Sequence, residues 1–460
     1  MRYQNIFQPV LKSIVPSSDE RRKVLGEVNG FLSGLNKELK RNKFKAAAVL
    51  GGSYAKDTWL SGDYDVDVFV KFSFVHHNQN LSNLLEKALP KPERIHGSRD
   101  YFWVRNGIKY EIIPVLDIKK PDQAENVTDF SPWHVAWVNK NGKNLKNDIR
   151  LAKKFCKANY CYGAESYIRG FSGHVLDILV IYYKGFLPLL KAAKNWKPKV
   201  ILDYYNTYKG KSLLMMNKSK TEGPLILVDP VQPGRNAAAA LTVENLDRFI
   251  SGARKFLKKP AVDLFIEKPV DFAKMKGHLI KISVKTLPDK EDVAGTKFVR
   301  AFEHVRDQLS DFHVKDSGWL WDKKANGTWW FLLDKKELPA DMDWMGPPVK
   351  IPDAVKKFKA IYKKTFVRKG RVYAKIMRAE RTPERVVKRL IGEPYVKERV
   401  SIAAPCSARS LSSPLARRGE KCRKSKISEH TRKFAQKASL CKFPMKASRR
   451  PRRFEQEEVV

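Results

Sequence analysis

The chain has 460 residues, more than a single hydrophobic core usually supports, and two or three domains are expected. With 43% hydrophobic and 11% aromatic residues it can bury a core over most of its length, which excludes a chain disordered throughout. Its 90 Lys and Arg against 49 Asp and Glu leave a formal net charge of +41, which suits a phosphate-rich partner such as nucleic acid.

No long uncharged apolar run and no signal-peptide pattern opens the sequence, so no membrane role and a cytoplasmic location are expected. Of the cysteines, Cys156 and Cys161 lie close together while Cys406, Cys422 and Cys441 scatter through a basic tail. Reduced thiols are the simplest reading.

In chain order, Ser17 to Leu35 carries Ser/Asp start signals and helical apolar spacing, and predicts an amphipathic helix ahead of the first strand. Ala46 to Leu50, Asp65 to Phe72 and Tyr110 to Leu116 read as strands. Residues 1–147 form the first expected domain. A helical pattern from Asn147 to Ala158, then Val175 to Tyr183 and Phe186 to Leu190, places a helical domain at 148–256. Mixed strands and helices, including His278 to Val284 and Thr328 to Leu333, place an α+β domain at 257–385. Residues 386–460 are expected to be a basic, disordered tail, with 16 basic against 5 acidic residues from 401 onward.

The run Gly51-Gly-Ser-Tyr-Ala-Lys-Asp-Thr-Trp-Leu-Ser-Gly-Asp-Tyr-Asp-Val-Asp-Val carries the chemistry. Residues two apart on a strand project to one face, so Asp65 and Asp67 can share a volume, and two anions there demand a cation. Magnesium takes hard oxygen ligands and keeps positions for phosphate, which makes the pair fit a nucleotidyl-transfer site. Glu111, on the Tyr110 strand, is the candidate third carboxylate. An isolated Asp-x-Asp more often lines a solvated strand; the upstream Gly-Ser turn and the downstream acidic strand favour the site.

This pattern resembles the DNA polymerase β-like nucleotidyltransferase superfamily. Further strings, Ser131-Pro-Trp-His, Lys153-Lys-Phe-Cys-Lys-Ala-Asn, Tyr162-Gly-Ala-Glu, Arg169-Gly-Phe-Ser-Gly and Val228-Asp-Pro-Val with Arg235-Asn, resemble the archaeal-type, class I CCA-adding enzymes over residues 10–385. The resemblance implies an α+β multidomain protein: a polymerase β-like head, a helical central domain and an α+β C-terminal domain. It implies template-independent addition of CCA to tRNA 3′ ends from CTP and ATP, with Mg2+, a tRNA acceptor stem as partner, and a homodimer. Asp65, Asp67 and Glu111 would hold the metal, with Glu111 standing where the family usually has Asp. Gly52 and Ser53 would grip the triphosphate together with Lys56, where the family has Arg. His134, Lys153 and Tyr162 would contact the nucleotide, and Arg235 would help read the base.

Each of the last four has an ordinary reading: a helix-cap histidine, a solvated helix lysine, a core tyrosine, and an arginine bracing a loop through Asp229. The glycines of Arg169-Gly-Phe-Ser-Gly suit tight packing. Rival functions are a poly(A) polymerase or oligoadenylate synthetase-like enzyme, which would share Ser53 and the three carboxylates, and an RNA-binding protein with a degenerate catalytic domain.

Overall fold

A computed structural model describes residues 3–406 and 441–446, with two units, residues 1–268 and 269–460. Helix α1 (Gln4–Ile14) precedes α2 (Ser18–Arg41). The α2 start follows from its sequence: the Ser17 hydroxyl accepts the Glu20 N–H at 3.1 Å, acids fill the first turn and Lys40 and Arg41 the last.

Next come β1 (Ala46–Leu50), the short α3 (Gly52–Ala55), β2 (Asp65–Phe72), α4 (Leu81–Glu86), β3 (Glu93–Ile95), β4 (Tyr101–Asn106) and β5 (Ile108–Leu116). They form one sheet in the order β1-β2-β5-β4-β3, in which only β2 and β5 run parallel. Along β2, Val66, Val68, Val70 and Phe72 are buried, and along β5 so are Ile108, Tyr110 and Ile112. That alternation turns Asp65, Asp67 and Glu111 to the other face.

A helical layer follows: α5 (Ser131–Asn141), α6 (Lys146–Ala158), α7 (Gly173–Tyr182), α8 (Phe186–Ala193) and α10 (Val243–Lys258). The parallel pair β6 (Val200–Asp203) and β7 (Leu225–Val228), with α9 (Ser212–Met215) between them, completes it. Its core is aromatic: Phe186, Phe256 and Phe265 meet Phe7 of α1, and Phe155 packs against the same three rings. Two expected boundaries therefore move. Helix α1 is buried with the helical layer instead of the strand domain, through Phe7, Val10 and Ile14, and the unit runs to residue 268 because Phe265 belongs to the same core. Cys156 and Cys161 are buried free thiols.

In the second unit, β8 (His278–Thr286), β9 (Val314–Trp321), β10 (Asn326–Leu333), β14 (Val400–Cys406) and β15 (Cys441–Lys446) form an antiparallel sheet in the order β14-β8-β10-β9-β15. Helix α11 (Glu291–Gln308) packs Phe298 and Phe302 on Trp319, Trp329 and Phe331. A second sheet, β11 (Asp341–Pro348), β13 (Arg371–Met377) and β12 (Thr365–Arg368), carries α12 (Pro352–Ile361). The expected end at residue 385 is too early. Helices α13 (Pro383–Leu390) and α14 (Pro394–Lys397) bury Val386, Val387, Leu390 and Val396 before β14 joins the sheet. The rest of the expected tail, including Cys422, lies outside the described residues. Among the described residues no helix is long and apolar enough to cross a membrane.

Candidate active site

The parallel register sets Asp67 beside Glu111 and Asp65 beside Lys109, which gathers three carboxylates over two adjacent strands. Burial, with the Glu111 charge next in size, pushes the Asp67 carboxyl up to about 7, and burial raises Glu111 as well. The Trp103 indole, opposite Glu111 on β4, donates to Glu111 Oε2 at 3.1 Å. Lys109 lies 3.7 Å from Asp65 and 4.1 Å above the Trp103 ring.

The Gly-Ser turn leads from β1 into α3 against these acids. Gly51 N–H donates to the Asp67 carbonyl at 2.8 Å. Gly52 has φ +48°, and a methyl group there would stand 1.6 Å from Asp67 Oδ2, so the approach requires glycine. Ser53 is half-exposed beside it.

Lys56 is buried and its ammonium is 2.6 Å from Asp177 Oδ2 on α7. Burial opposes ionisation of Asp177, but Lys56 and Lys153 outweigh it and the carboxyl sits below its usual range. Lys153, on α6, is also buried instead of lying on a solvated helix face: it donates to the Thr58 carbonyl at 3.0 Å and the Thr58 hydroxyl at 3.1 Å, and burial lowers its pKa to about 8. Both lysines act electrostatically on Asp67, which ties the two halves of the unit to one site. The loop between them is braced by Asp57, which accepts from Arg21 at 2.6 Å and Arg150 at 2.7 Å and pairs with Lys146 at 3.3 Å.

Tyr162 is half-buried. A methyl at Gly173, the first residue of α7, would be 3.3 Å from the Tyr162 hydroxyl and 4.0 Å from Lys153 Nζ, so Tyr162 and Lys153 converge on the start of that helix. Gly170 is packed as tightly as its motif suggested: a methyl there would stand 2.3 Å from the Cys161 carbonyl.

His134 and Arg235 meet at a second point, the fully buried Asp229. His134 Nε2 lies 3.0 Å from both carboxylate oxygens and Arg235 Nη1 donates at 2.9 Å; the Val231 and Gln232 N–H groups donate at 2.9 and 3.1 Å. His174, one turn before Asp177 on α7, sets its ring 4.3 Å from that of His134, tilted by 51°, and reaches Asp229 at 3.7 Å. Burial would raise Asp229, but His134 and His174 hold it well below the carboxylate range. The ligating atoms of His134, His174 and Asp229 lie within 4.8 Å of one another, a spacing a metal ion could use. Arg235 already places a positive charge on the same carboxylate, and the arrangement works as an ion-pair network without one.

The structure thus brings Asp65, Asp67, Glu111, Gly52, Lys56 and Lys153 together, with Ser53 beside Gly52 and Tyr162 beside Lys153, and hangs His134 and Arg235 on one carboxylate linked to them through α7. The loop-bracing arrangement expected of Arg235 with Asp229 is present, and its side chain stays 43% exposed. Asp177, His174, Asp57 and Trp103 were not singled out in advance. A signal existed for Asp177, a lone acid in the apolar run Val175-Leu-Asp-Ile-Leu-Val, which has to be paired if buried.

Known families match in the same order along the chain. A nucleotidyltransferase domain matches residues 32–134, the second domain of tRNA nucleotidyltransferase matches 147–266, and the C-terminal domain of CCA-adding enzyme matches 279–397. The CCA-adding enzyme of Nanoarchaeum equitans is 34% identical over 375 residues, 80% of this chain and 92% of that protein. That of Pyrococcus abyssi is 33% identical over 66% of this chain and 72% of its own length, and that of Pyrobaculum islandicum 28% over 75% and 82%. Among solved structures, a cytoplasmic RNA terminal U-transferase covers 58% of this chain and 99% of its own, at 14% identity and a TM-score of 0.46. Matched by three domain models in sequence and by a relative that shares a third of its residues across four-fifths of its length, the chain belongs to the CCA-adding enzymes of the nucleotidyltransferase superfamily.

Proposed function

We propose that this chain adds C, C and A to tRNA 3′ ends from CTP and ATP, without a nucleic-acid template, releasing pyrophosphate at each addition. The observation that carries the reading is the strand register that sets Asp67 beside Glu111, with Asp65 on the same face and Gly52 against Asp67. The carboxyl of Asp67 is pushed up to about 7 by burial and by the Glu111 charge, and three carboxylates gather on one face; both fit a divalent cation with oxygen ligands, for which Mg2+ is the proposed species. Asp65, Asp67 and Glu111 would hold it. When bound, Mg2+ supplies a lowered pKa for the attacking 3′-hydroxyl and charge neutralisation for the leaving pyrophosphate.

The chain's own residues do the positioning. Gly52 lets the turn close against Asp67, and Ser53 offers a hydroxyl to the triphosphate at the same turn. Lys56 and Lys153, both buried, set a positive field over the phosphates, and their pairing with Asp177 and Thr58 fixes where that charge stands. Tyr162 supplies a ring and hydroxyl beside Lys153. His134 and Arg235, fixed by Asp229, contact ribose and base, and the exposed part of the Arg235 guanidinium has donors left for the acceptor edge of C or A. The basic chain binds the tRNA acceptor stem through helix shape and phosphates, since A-form RNA hides its major-groove edges from side chains.

Nucleotide use tests the proposal. Full-length protein given a tRNA lacking its terminal CCA should add two C from CTP alone, and one A after them when ATP is present, then stop. Extension by A alone, without limit, would move the activity to a poly(A) polymerase; no incorporation would leave an RNA-binding protein.

A further inference from the structure

We infer that Trp103 is a positioning residue for the third carboxylate, fixing the longer Glu111 side chain so that it completes the cation site with Asp65 and Asp67. The inference rests on the reading of that site given above. Glu111 carries one more rotatable bond than an aspartate would at the same place, and its strand position alone does not decide where its oxygens stand. Trp103 supplies the missing constraint. The antiparallel register of β4 and β5 sets it directly across from Glu111, and its indole N–H takes Glu111 Oε2 at 3.1 Å.

The ring is itself held. The Lys109 ammonium lies 4.1 Å above it while standing 3.7 Å from Asp65, Arg105 covers it at 5.3 Å, and Tyr101 meets it edge-on at 6.5 Å between centroids. Trp103 therefore links two of the three carboxylates, Glu111 by hydrogen bond and Asp65 through Lys109. An indole can donate but not accept, so it binds the ionised glutamate and cannot compete with it for a cation. Groups that hold a metal ligand from behind commonly change metal affinity by 10 to 100-fold when removed.

The test is Mn2+ binding to full-length protein, by titration calorimetry or by the loss of free Mn2+ signal in electron paramagnetic resonance, with incorporation measured alongside. Trp103→Phe keeps a ring and deletes the donor. Mn2+ affinity should fall about tenfold, with a matching rise in the Mg2+ concentration that half-saturates the reaction. In an E111D background, where the carboxylate is withdrawn from the indole, the same change should do nothing further. Trp103→Leu, which removes the N–H and offers no other donor, replaces the phenylalanine variant if that one fails to fold. Unchanged Mn2+ affinity in the folded variant, or an equal loss in the E111D background, overturns the inference. E111Q separates the two levels: if it leaves Mn2+ binding intact, the reading of the carboxylate site fails rather than the role of Trp103.

Discussion

Replacing Asp67 by Asn should make the metal-free protein more stable while destroying its activity. The Asp67 carboxyl is driven from 3.8 to about 7 mainly by burial and then by Glu111. A carboxyl raised in this way favours folding in its protonated form: its contribution is fully present below pH 3.8 and is lost as pH rises through about 7. At about 1.4 kcal/mol per tenfold change in proton affinity, the Asp67 carboxyl costs roughly 4 kcal/mol at pH 8, where it is ionised in the fold, and roughly 2 kcal/mol at pH 5, where folding has to protonate it. Asn mimics the protonated acid and escapes both costs. For the unit containing it, the variant should melt about 10 °C higher than the parent at pH 8 in EDTA, and about 4 °C higher at pH 5. Scanning calorimetry at the two pH values reads this directly. Mg2+ with CTP should raise the melting temperature of the parent and leave the variant unmoved. A variant that melts below the parent at pH 8, or gains equally at both pH values, would refute the electrostatic argument.

Gly52→Ala should cut nucleotide incorporation at least about 100-fold, because the new methyl overlaps Asp67 Oδ2 and the backbone has φ +48°; near-normal single-turnover rates would show that the close approach is dispensable. Asp177→Asn strands the buried Lys56 ammonium, and urea unfolding should lose about 3–5 kcal/mol; a loss under about 1 kcal/mol would mean that Lys56 finds water. Asp229→Asn removes a carboxylate that His134 and His174 hold far below its usual range. The stability it contributes is present above pH 3.8 and lost as pH falls below that, so the penalty of the variant should be full at neutrality and shrink in acid. A penalty that grows as the solution is acidified contradicts this.

The strands of the site were legible because their signal is local. Alternation in Asp65 to Phe72 and in the strand around Glu111 sorts core from site at single-residue resolution, and it needed only the correct register to bring Asp67 beside Glu111. The helices α6 and α7 could be read the same way. What was not legible depends on contacts between distant segments. Lys56 looks like a surface lysine until Asp177, 121 positions later, is folded against it. Arg235 in the sequence could brace Asp229 or read a base; the fold adds His134, 95 positions before Asp229, on the same carboxylate. Helix α1 carries Phe7, Val10 and Ile14 at helical spacing, but the core they enter is assembled from Leu60 and from residues between 137 and 265. Beyond residue 385, charge density hides a short amphipathic helix whose apolar positions, Val386, Val387 and Leu390, are few but all buried.

The most direct measurement is single-turnover addition of one C to a tRNA lacking CCA, with full-length protein and Mg2+, comparing the parent with Glu111→Gln. The account predicts rapid addition by the parent and a rate lower by at least about 1,000-fold in the variant, at unchanged tRNA affinity. Addition by the variant at close to the parental rate would show that chemistry does not run through the Asp65, Asp67 and Glu111 site.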